Sequence, residues 1–162
     1  MKQALLALAV LGAPLFQKNP APKEDIVSTE QKQELSKADV EKLSPFAIKL
    51  CQECIKWNVP IKYPYRLIMV ESRGNPHAWH QNENGSEDYG LFQLNSVTFA
   101  RYSPFELWNP DINISLGVEY MSDCFEKAGN WYDALLLYNC GTIKGAPKSS
   151  HEYAQMILKG GE

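Results

Sequence analysis

The stretch that most constrains the fold of this chain is residues 71–96, where an apolar segment gives way to a polar loop. Residues 67–70 are continuously apolar, and Glu71 follows them directly. A helix that is apolar nearly all round is a buried one. The Gly and Pro of residues 73–76 (RGNP) then stop it. We therefore expect a central buried helix over residues 64–72, with a carboxylate at its C-terminal end.

This position predicts an unusual protonation state for Glu71. The side chain is only partly solvated there, and it lies at the negative end of the helix dipole. Both effects raise the pKa of a carboxyl group, so we expect Glu71 to keep its proton near neutral pH. A second carboxylate, Asp88, follows a segment rich in Asn, Gly and Ser. Such a segment predicts a loop or short hairpin, which lets the chain fold back and present both carboxylates to one cleft.

Apolar residues at helical spacing predict further helices around this centre. Asp39 and Ser96 are candidate N-caps for the helical segments that follow them. The predicted helices after the first turn at Asp39 cover residues 45–57, 97–102, 103–108, 112–128, 131–138 and 151–159. Strand signals are weak, so we predict a mostly α domain with at most one small β-hairpin beside the cleft.

The N-terminal part of the chain predicts export. Residues 1–21 begin with a Lys and an apolar run too short to span a bilayer comfortably, which is typical of a signal peptide or an N-terminal anchor. Residues 22–38 are charged and contain Pro, as expected of a flexible linker. The folded domain is then predicted to cover residues 39–162. This organisation predicts a periplasmic or secreted protein.

Composition excludes other classes of function. The 16 Lys and Arg against 19 Asp and Glu give a net charge of -3, which offers no electrostatic basis for binding nucleic acid. Four cysteines behind an export signal are consistent with one or two disulfides or with buried free thiols. Only one pair has the Cys-x-x-Cys spacing, so we predict no metal site and no cofactor. The cysteines are Cys51, Cys54, Cys124 and Cys140.

Several motifs within residues 45–159 together carry a specific resemblance. They are ES at 71–72 with NP at 75–76, YGLFQLN at 89–95, NPDINI at 109–114 with LG at 116–117, and LYNCG at 137–141. In this order and spacing the chain resembles the soluble lytic transglycosylase (SLT) family, which cleaves bacterial peptidoglycan on a lysozyme-like fold. It is most similar to the small transglycosylases that serve conjugation and secretion machines. The loop before Tyr89 also resembles that of C-type lysozymes.

The resemblance implies two alternative chemistries. As a lytic transglycosylase, the chain uses Glu71 alone as general acid and then base, and forms a 1,6-anhydro ring on N-acetylmuramic acid. As a lysozyme-type muramidase, it hydrolyses the same bond with Glu71 and Asp88, because Asp88 occupies the place of the second lysozyme carboxylate. A third alternative is a non-catalytic component of an envelope machine that binds glycan.

The resemblance also implies which residues bind the substrate and which partners the chain has. The partners expected are peptidoglycan glycan strands and a secretion or conjugation apparatus, but no nucleic acid, and we expect a monomer. Tyr138 is expected to hold either the acetamido group or the catalytic carboxyl, unless it is a core aromatic residue with a bonded hydroxyl. Ser72 is also consistent with support of the helix end. The substrate-binding candidates are Ser72, Gln93, Tyr138, Asn139 and Tyr153.

Overall fold

Helices form most of the fold in the computed structural model, which describes residues 37–160. The element order is α1 (Lys37–Leu43), α2 (Ala47–Trp57), α3 (Lys62–Glu71), β1 (Trp79–Gln81), β2 (Glu87–Tyr89), β3 (Leu94–Asn95), α4 (Pro104–Trp108), α5 (Pro110–Ala128), α6 (Trp131–Cys140) and α7 (Lys148–Lys159). The expected signal peptide or anchor, residues 1–21, lies outside the described residues. So does the expected linker, residues 22–38, except its last two residues, which begin α1.

The mostly α fold class is confirmed, and the predicted hairpin is part of a slightly larger sheet. β1 pairs with β2 and β2 with β3, both antiparallel, and Asp88 lies opposite Asn95. Ser96 pairs with the same strand, because its hydroxyl accepts from the Glu87 N–H at 2.9 Å and its own N–H donates to the Glu87 carbonyl at 2.7 Å. Ser96 is therefore not free to cap a helix. The helix predicted for residues 97–102 is wrong, and the chain forms turns there.

The long helix α5 is the support on which the other elements pack. It contacts α2, α3, α4 and α6, and α7 packs in turn on α6 and α3. The Asn109 side chain caps it by accepting from the N–H groups of Asp111 and Ile112, a kind of contact that stabilises a helix by about 1 kcal/mol. Gly129, with φ 76°, ends it in the left-handed conformation that glycine adopts without steric cost.

Several predicted helix starts are corrected by a few residues. The helices α2 and α5 begin at Ala47 and Pro110 rather than at residues 45 and 112. The helix α3 begins at Lys62 rather than Pro64, which lies in its first turn, where proline's missing N–H has no partner to lose. The helix α7 begins at Lys148 rather than His151. Asp39 lies inside the first turn of α1 instead of capping it, and its carboxylate accepts a hydrogen bond from Tyr65 at 2.5 Å. α3 ends at Glu71, which confirms the prediction of a carboxylate at the C-terminal end of this helix.

A buried asparagine on α5 holds the turn of residues 90–93 in place. Asn113 has no exposed surface; its side-chain oxygen accepts from the Phe92 N–H at 2.9 Å. Its side-chain nitrogen donates to the carbonyls of Tyr89 and Leu107, both at 2.8 Å. These three hydrogen bonds to backbone groups tie the turn to α5 and α4.

The cysteines form no disulfide. All four are free thiols, so the structure agrees with the free-thiol alternative and not with the disulfide alternative. Cys54 and Cys124 are buried, and burial raises the pKa of the Cys124 thiol to about 11. Cys51 and Cys54 are three residues apart on α2, one exposed and the other in the core.

Within residues 37–160, every helix is too short or too polar to cross a lipid bilayer.

Candidate active site

A cleft of about 730 Å³ lies where the sheet, the end of α3, α5 and α6 meet. Most of its lining is polar, and its charged groups are all carboxylates. The lining residues are Glu71, Asn82, Glu83, Asn84, Ser86, Asp88, Gln93, Asn95, Thr98, Tyr120, Tyr138, Asn139, Cys140 and Gly141. The structure therefore brings together five of the seven residues expected to form the site: Glu71, Asp88, Gln93, Tyr138 and Asn139.

Glu71 enters the cleft from the C-terminal end of α3. Burial raises the pKa of its carboxyl group to about 7, and the negative charge of Asp88 acts in the same direction. The Tyr153 hydroxyl opposes this shift, because it donates a hydrogen bond to Oε1 at 2.5 Å and so favours the ionised form. A carboxyl group with a pKa near 7 exists in both forms at neutral pH. Glu71 is thus suited both to donate a proton and to take one back.

Asp88 lies on the sheet side of the same cleft and is held quite differently. Its Oδ2 accepts from the Asn82 side-chain nitrogen at 2.8 Å, and its Oδ1 accepts from the Asn95 side-chain nitrogen at 2.7 Å. The Ser86 hydroxyl accepts from both amides, at 3.1 and 2.9 Å, and donates to Asn84 at 2.7 Å. This network fixes the orientation of the Asp88 carboxylate on the strand.

Gln93 is the one lining residue with a strained backbone. Its φ of 45° lies in the left-handed region, which costs a residue other than glycine on the order of 1 kcal/mol. Its side-chain nitrogen donates to the carbonyls of Gly90 and Ala78, at 2.9 and 3.2 Å. Because the nitrogen is occupied, the side-chain oxygen is the group that Gln93 offers to a ligand.

The two expected tyrosines have different partners. The Tyr138 hydroxyl donates to the Phe92 carbonyl at 2.8 Å, so it braces the turn of residues 90–93. Burial first, and then the charge of Glu71, raises the pKa of Tyr138 well above its usual range. Tyr153 does not line the cleft, but it is the tyrosine that bonds the Glu71 carboxyl. Asn139 is exposed at the cleft wall beside Tyr138.

Ser72 is placed outside the cleft lining. It is buried, and its hydroxyl donates to the Ile68 carbonyl at 3.1 Å and accepts from the Gly74 N–H at 3.2 Å. Both bonds satisfy backbone groups at the end of α3. This geometry favours support of the helix end over contact with substrate.

Sequence reasoning missed the amide groups that hold Asp88 and one aromatic wall of the cleft. Asn82 has the character of an ordinary loop residue and Asn95 is only the last residue of the motif at 89–95, and the folding of the sheet brings their side chains to Asp88. Tyr120 follows the motif at residues 116–117, which could have drawn attention to it. Its ring packs against Tyr138, with centroids 5.3 Å apart, and edge-on against Phe99 at 5.6 Å.

Within residues 37–160, no set of three or more His, Cys, Asp or Glu side chains is arranged to hold a metal ion.

A helical domain with a poorly solvated carboxyl group in a cleft beside a small sheet agrees with the lysozyme-like architecture that the motifs imply. Residues 52–158 match the family described as the transglycosylase SLT domain. The chain belongs to this family. The expected enzyme class, a peptidoglycan lytic transglycosylase, is thereby confirmed.

The relatives found by sequence are bacterial proteins of similar size. Invasion protein IagB of Salmonella typhimurium is 29% identical over 107 residues, which cover 62% of this chain and 67% of IagB. Protein IpgF of Shigella flexneri is 27% identical over 110 residues, covering 64% of this chain and 72% of IpgF.

A solved structure shows the same fold. It is an inactive mutant of the lytic transglycosylase Slt from Pseudomonas aeruginosa, which superimposes with a TM-score of 0.59 at 21% sequence identity. The match covers 78% of this chain but only 25% of that longer chain. It therefore supports the fold of the catalytic unit alone.

Proposed function

We propose that this chain cleaves the β-1,4 bond between N-acetylmuramic acid and N-acetylglucosamine in peptidoglycan by transglycosylation, with Glu71 as the only catalytic acid and base. The observation that carries the proposal is the Glu71 carboxyl, which faces the cleft with a pKa of about 7. In the first step it gives its proton to the glycosidic oxygen. The bond from that oxygen to muramyl C1 then breaks, and positive charge develops at C1.

In the second step the Glu71 carboxylate takes the proton of the muramyl 6-hydroxyl. The oxygen of that hydroxyl bonds to C1 and closes a 1,6-anhydro ring, so no water is consumed. The proton lost by Glu71 in the first step is replaced in the second. A pKa near neutrality suits both steps, since neither protonation state is held too strongly.

Hydrolysis by the lysozyme route is the second candidate, because Asp88 lies in the same cleft as Glu71. In that reaction Asp88 stabilises or attacks C1, and water replaces the 6-hydroxyl. Its two amide hydrogen bonds keep the Asp88 carboxylate on the sheet. A carboxylate held in this way is suited to electrostatic support of the charge at C1, a role that fits both routes. The transglycosylase pattern of residues 112–141 is what favours transglycosylation.

Residues around Glu71 are proposed to bind the sugars. The free side-chain oxygen of Gln93 accepts from a sugar hydroxyl or amide, and exposed Asn139 contacts the strand at the cleft wall. Tyr138 keeps the turn of residues 90–93 in place, while Tyr153 orients the Glu71 carboxyl. For Ser72 we propose support of the helix end rather than sugar binding.

The setting of the reaction is proposed to be the cell envelope. We propose that residues 1–21 export or anchor the chain, that residues 22–38 link this segment to the catalytic domain, and that the enzyme acts in the periplasm as a monomer. The motif resemblance suggests service to a secretion or conjugation apparatus. The name of the relative IagB, an invasion protein, is consistent with such a role.

The Glu71→Gln variant tests the proposal. Removal of a general acid typically costs about 10²–10⁴-fold in rate, so release of soluble fragments from purified peptidoglycan should fall by at least about 10²-fold. Binding to peptidoglycan sacculi should remain, because Gln has the same shape. A matched control is Glu126→Gln, an exposed carboxylate of α5 outside the cleft lining, which should cleave normally.

Two results would contradict the assignment. Unchanged cleavage by Glu71→Gln would remove Glu71 from the mechanism. Binding without cleavage by the wild-type chain itself would favour a glycan-binding component instead of an enzyme.

A further inference from the structure

Two contacts join α3 to α7, and their spacing is nearly the same on both helices. At one end, Arg66 Nη1 donates to the carbonyls of Ile157 and Leu158, at 3.0 and 2.8 Å. At the other end, the Tyr153 hydroxyl donates to Glu71 at 2.5 Å. The two contacts are five residues apart on α3 and four to five residues apart on α7, which is about 6–7.5 Å along a helix axis. Because the helices run antiparallel, the two contacts lie side by side along the pair.

Arg66 is well matched to the end of α7. The last carbonyls of a helix have no partner within the helix, and its C-terminal end is negative. The guanidinium supplies two hydrogen bonds and a positive charge at this point. Gly160 makes room for it, since a Cβ at that position would lie 2.8 Å from Arg66 Nη2. The contact therefore depends on both the arginine and the glycine.

α7 also makes a directional contact with α6, where His151 Nδ1 and the Tyr132 hydroxyl are hydrogen-bonded at 2.7 Å. That bond holds α7 on α6, whereas the hydrogen bonds that position α7 on α3, among the described residues, are those of Arg66 and Tyr153. Ala154 and Ile157 are fully buried, and such apolar packing is non-directional, so it tolerates a small slide. A hydrogen bond does not, because it weakens within a few tenths of an ångström. A slide that lengthens the Arg66 contacts moves Tyr153 along the same axis by the same distance.

We propose that Arg66 is a positioning residue of the active site, which sets the position of α7 along α3 so that the Tyr153 hydroxyl meets the Glu71 carboxyl. The importance of this for catalysis rests on the proposed role of Glu71. Arg66 lies outside the cleft lining and acts only through Tyr153.

The proposal has a measurable consequence for Glu71. The titratable groups that act on its carboxyl are Tyr153 on α7, Tyr138 on α6 and Asp88 on β2. Of these, Tyr153 alone donates a hydrogen bond to it among the described residues, and this bond lowers the pKa of Glu71. Loss of the bond should raise that pKa by about 0.5–1. The effect should be the same whether the hydroxyl is removed or displaced.

The experiment is an NMR titration of the Glu71 carboxyl carbon in the full chain. It compares wild type, Arg66→Met, Tyr153→Phe and the double variant. We expect both single variants to raise the pKa of Glu71, and the double variant to match Tyr153→Phe with no further rise. Arg66→Lys, which keeps the charge and hydrogen-bond donors but not the planar guanidinium geometry, should restore part of the wild-type value. Lys159→Met removes another cation from the same helix end and should leave the titration unchanged.

The proposal is overturned if Arg66→Met titrates as wild type, even when its melting temperature falls, or if the double variant shows the sum of both rises. Should Arg66→Met fail to fold, Gly160→Ala displaces the guanidinium more gently and is expected to give the same rise. The titration does not depend on turnover. An inactive wild-type chain with the expected titration would therefore refute the proposed reaction and leave the role of Arg66 intact.

Discussion

Two walls of the cleft each present a carboxylate: the helical wall carries Glu71 at the end of α3, and the sheet wall carries Asp88 on β2. The two carboxylates have different surroundings. Glu71 lies at the end of a buried helix, where burial raises its pKa to about 7 and the hydrogen bond from Tyr153 opposes the rise. Asp88 lies on a strand at the surface of a small sheet, and both of its oxygens accept from side-chain amides.

The surroundings of each carboxyl group, rather than its chemical type, determine which role it can take. A carboxyl group that is poorly solvated keeps its proton and can give it to a leaving oxygen. A carboxylate held by amide donors is oriented but restrained. In the proposed mechanism the helical wall supplies the general acid and base, and the sheet wall shapes the cleft and contributes negative charge.

The largest expected effect is on stability, and it separates the two walls. A raised pKa means that the unfolded chain loses the Glu71 proton near pH 4.5 while the folded chain keeps it to about pH 7. Stability is therefore lost as the pH rises through this window, by up to about 3 kcal/mol. Glu71→Gln removes this loss of stability. The free energy of unfolding of the variant should therefore equal that of wild type at pH 4 and exceed it at pH 8. Urea unfolding at several pH values measures this.

Asp88→Asn is the matched comparison for that experiment. An asparagine turns one acceptor oxygen into a donor that faces another amide, so the variant should be less stable than wild type at neutral pH, by about 1–3 kcal/mol. The opposite outcome is a Glu71→Gln variant that is less stable than wild type at pH 8. Burial would then not destabilise the ionised Glu71 carboxylate, and the two walls would not differ in how they hold their carboxylates.

The next largest effect is expected on the cleavage rate when the carboxylate of the sheet wall is changed. If Glu71 acts alone, Asp88→Asn should lower the rate of peptidoglycan cleavage by less than about tenfold, because only nearby charge is lost. The rate of fragment release at neutral pH, compared with Glu71→Gln, measures this. A loss as large as that of Glu71→Gln would assign Asp88 a direct part and favour hydrolysis.

The smallest effect is expected for Asn95→Ala. This change removes the donors to Asp88 and Ser86, which should cost about 1–2 kcal/mol of stability. Activity should fall only a few-fold, since Asp88 keeps its bond from Asn82. Thermal unfolding and the cleavage rate, measured on the same sample, give the ratio of the two effects. A large loss of activity at small cost in stability would show that the orientation of Asp88 matters for the reaction.

Sequence reasoning reached the helical wall more fully than the sheet wall, for a physical reason. The position of Glu71 follows from local signals, an apolar run and a Gly-Pro stop, and these also predicted the direction of its pKa shift. The partners of Asp88 depend on which strands pair, and Ser96 shows how pairing overrides a local cap signal. Non-local contacts of this kind leave little trace in a single sequence.

The two tyrosines illustrate the same limit. Both Tyr138 and Tyr153 were candidates from the motifs, but their partners depend on how α6 and α7 pack. Packing gives the Glu71 contact to Tyr153 and turns the Tyr138 hydroxyl to the Phe92 carbonyl. The residue types were predictable, whereas the hydrogen-bond partners were not.

In the proposed mechanism Glu71 is the only catalytic acid and base, and the product carries a 1,6-anhydro ring. Mass spectrometry of the fragments that the wild-type chain releases from purified peptidoglycan, in water enriched in heavy oxygen, tests it most directly. We expect muramyl ends that are lighter by one water molecule than hydrolysed ends and that carry no oxygen from the solvent. Reducing muramyl ends labelled with solvent oxygen would contradict it and assign the chain to the hydrolytic route through Glu71 and Asp88.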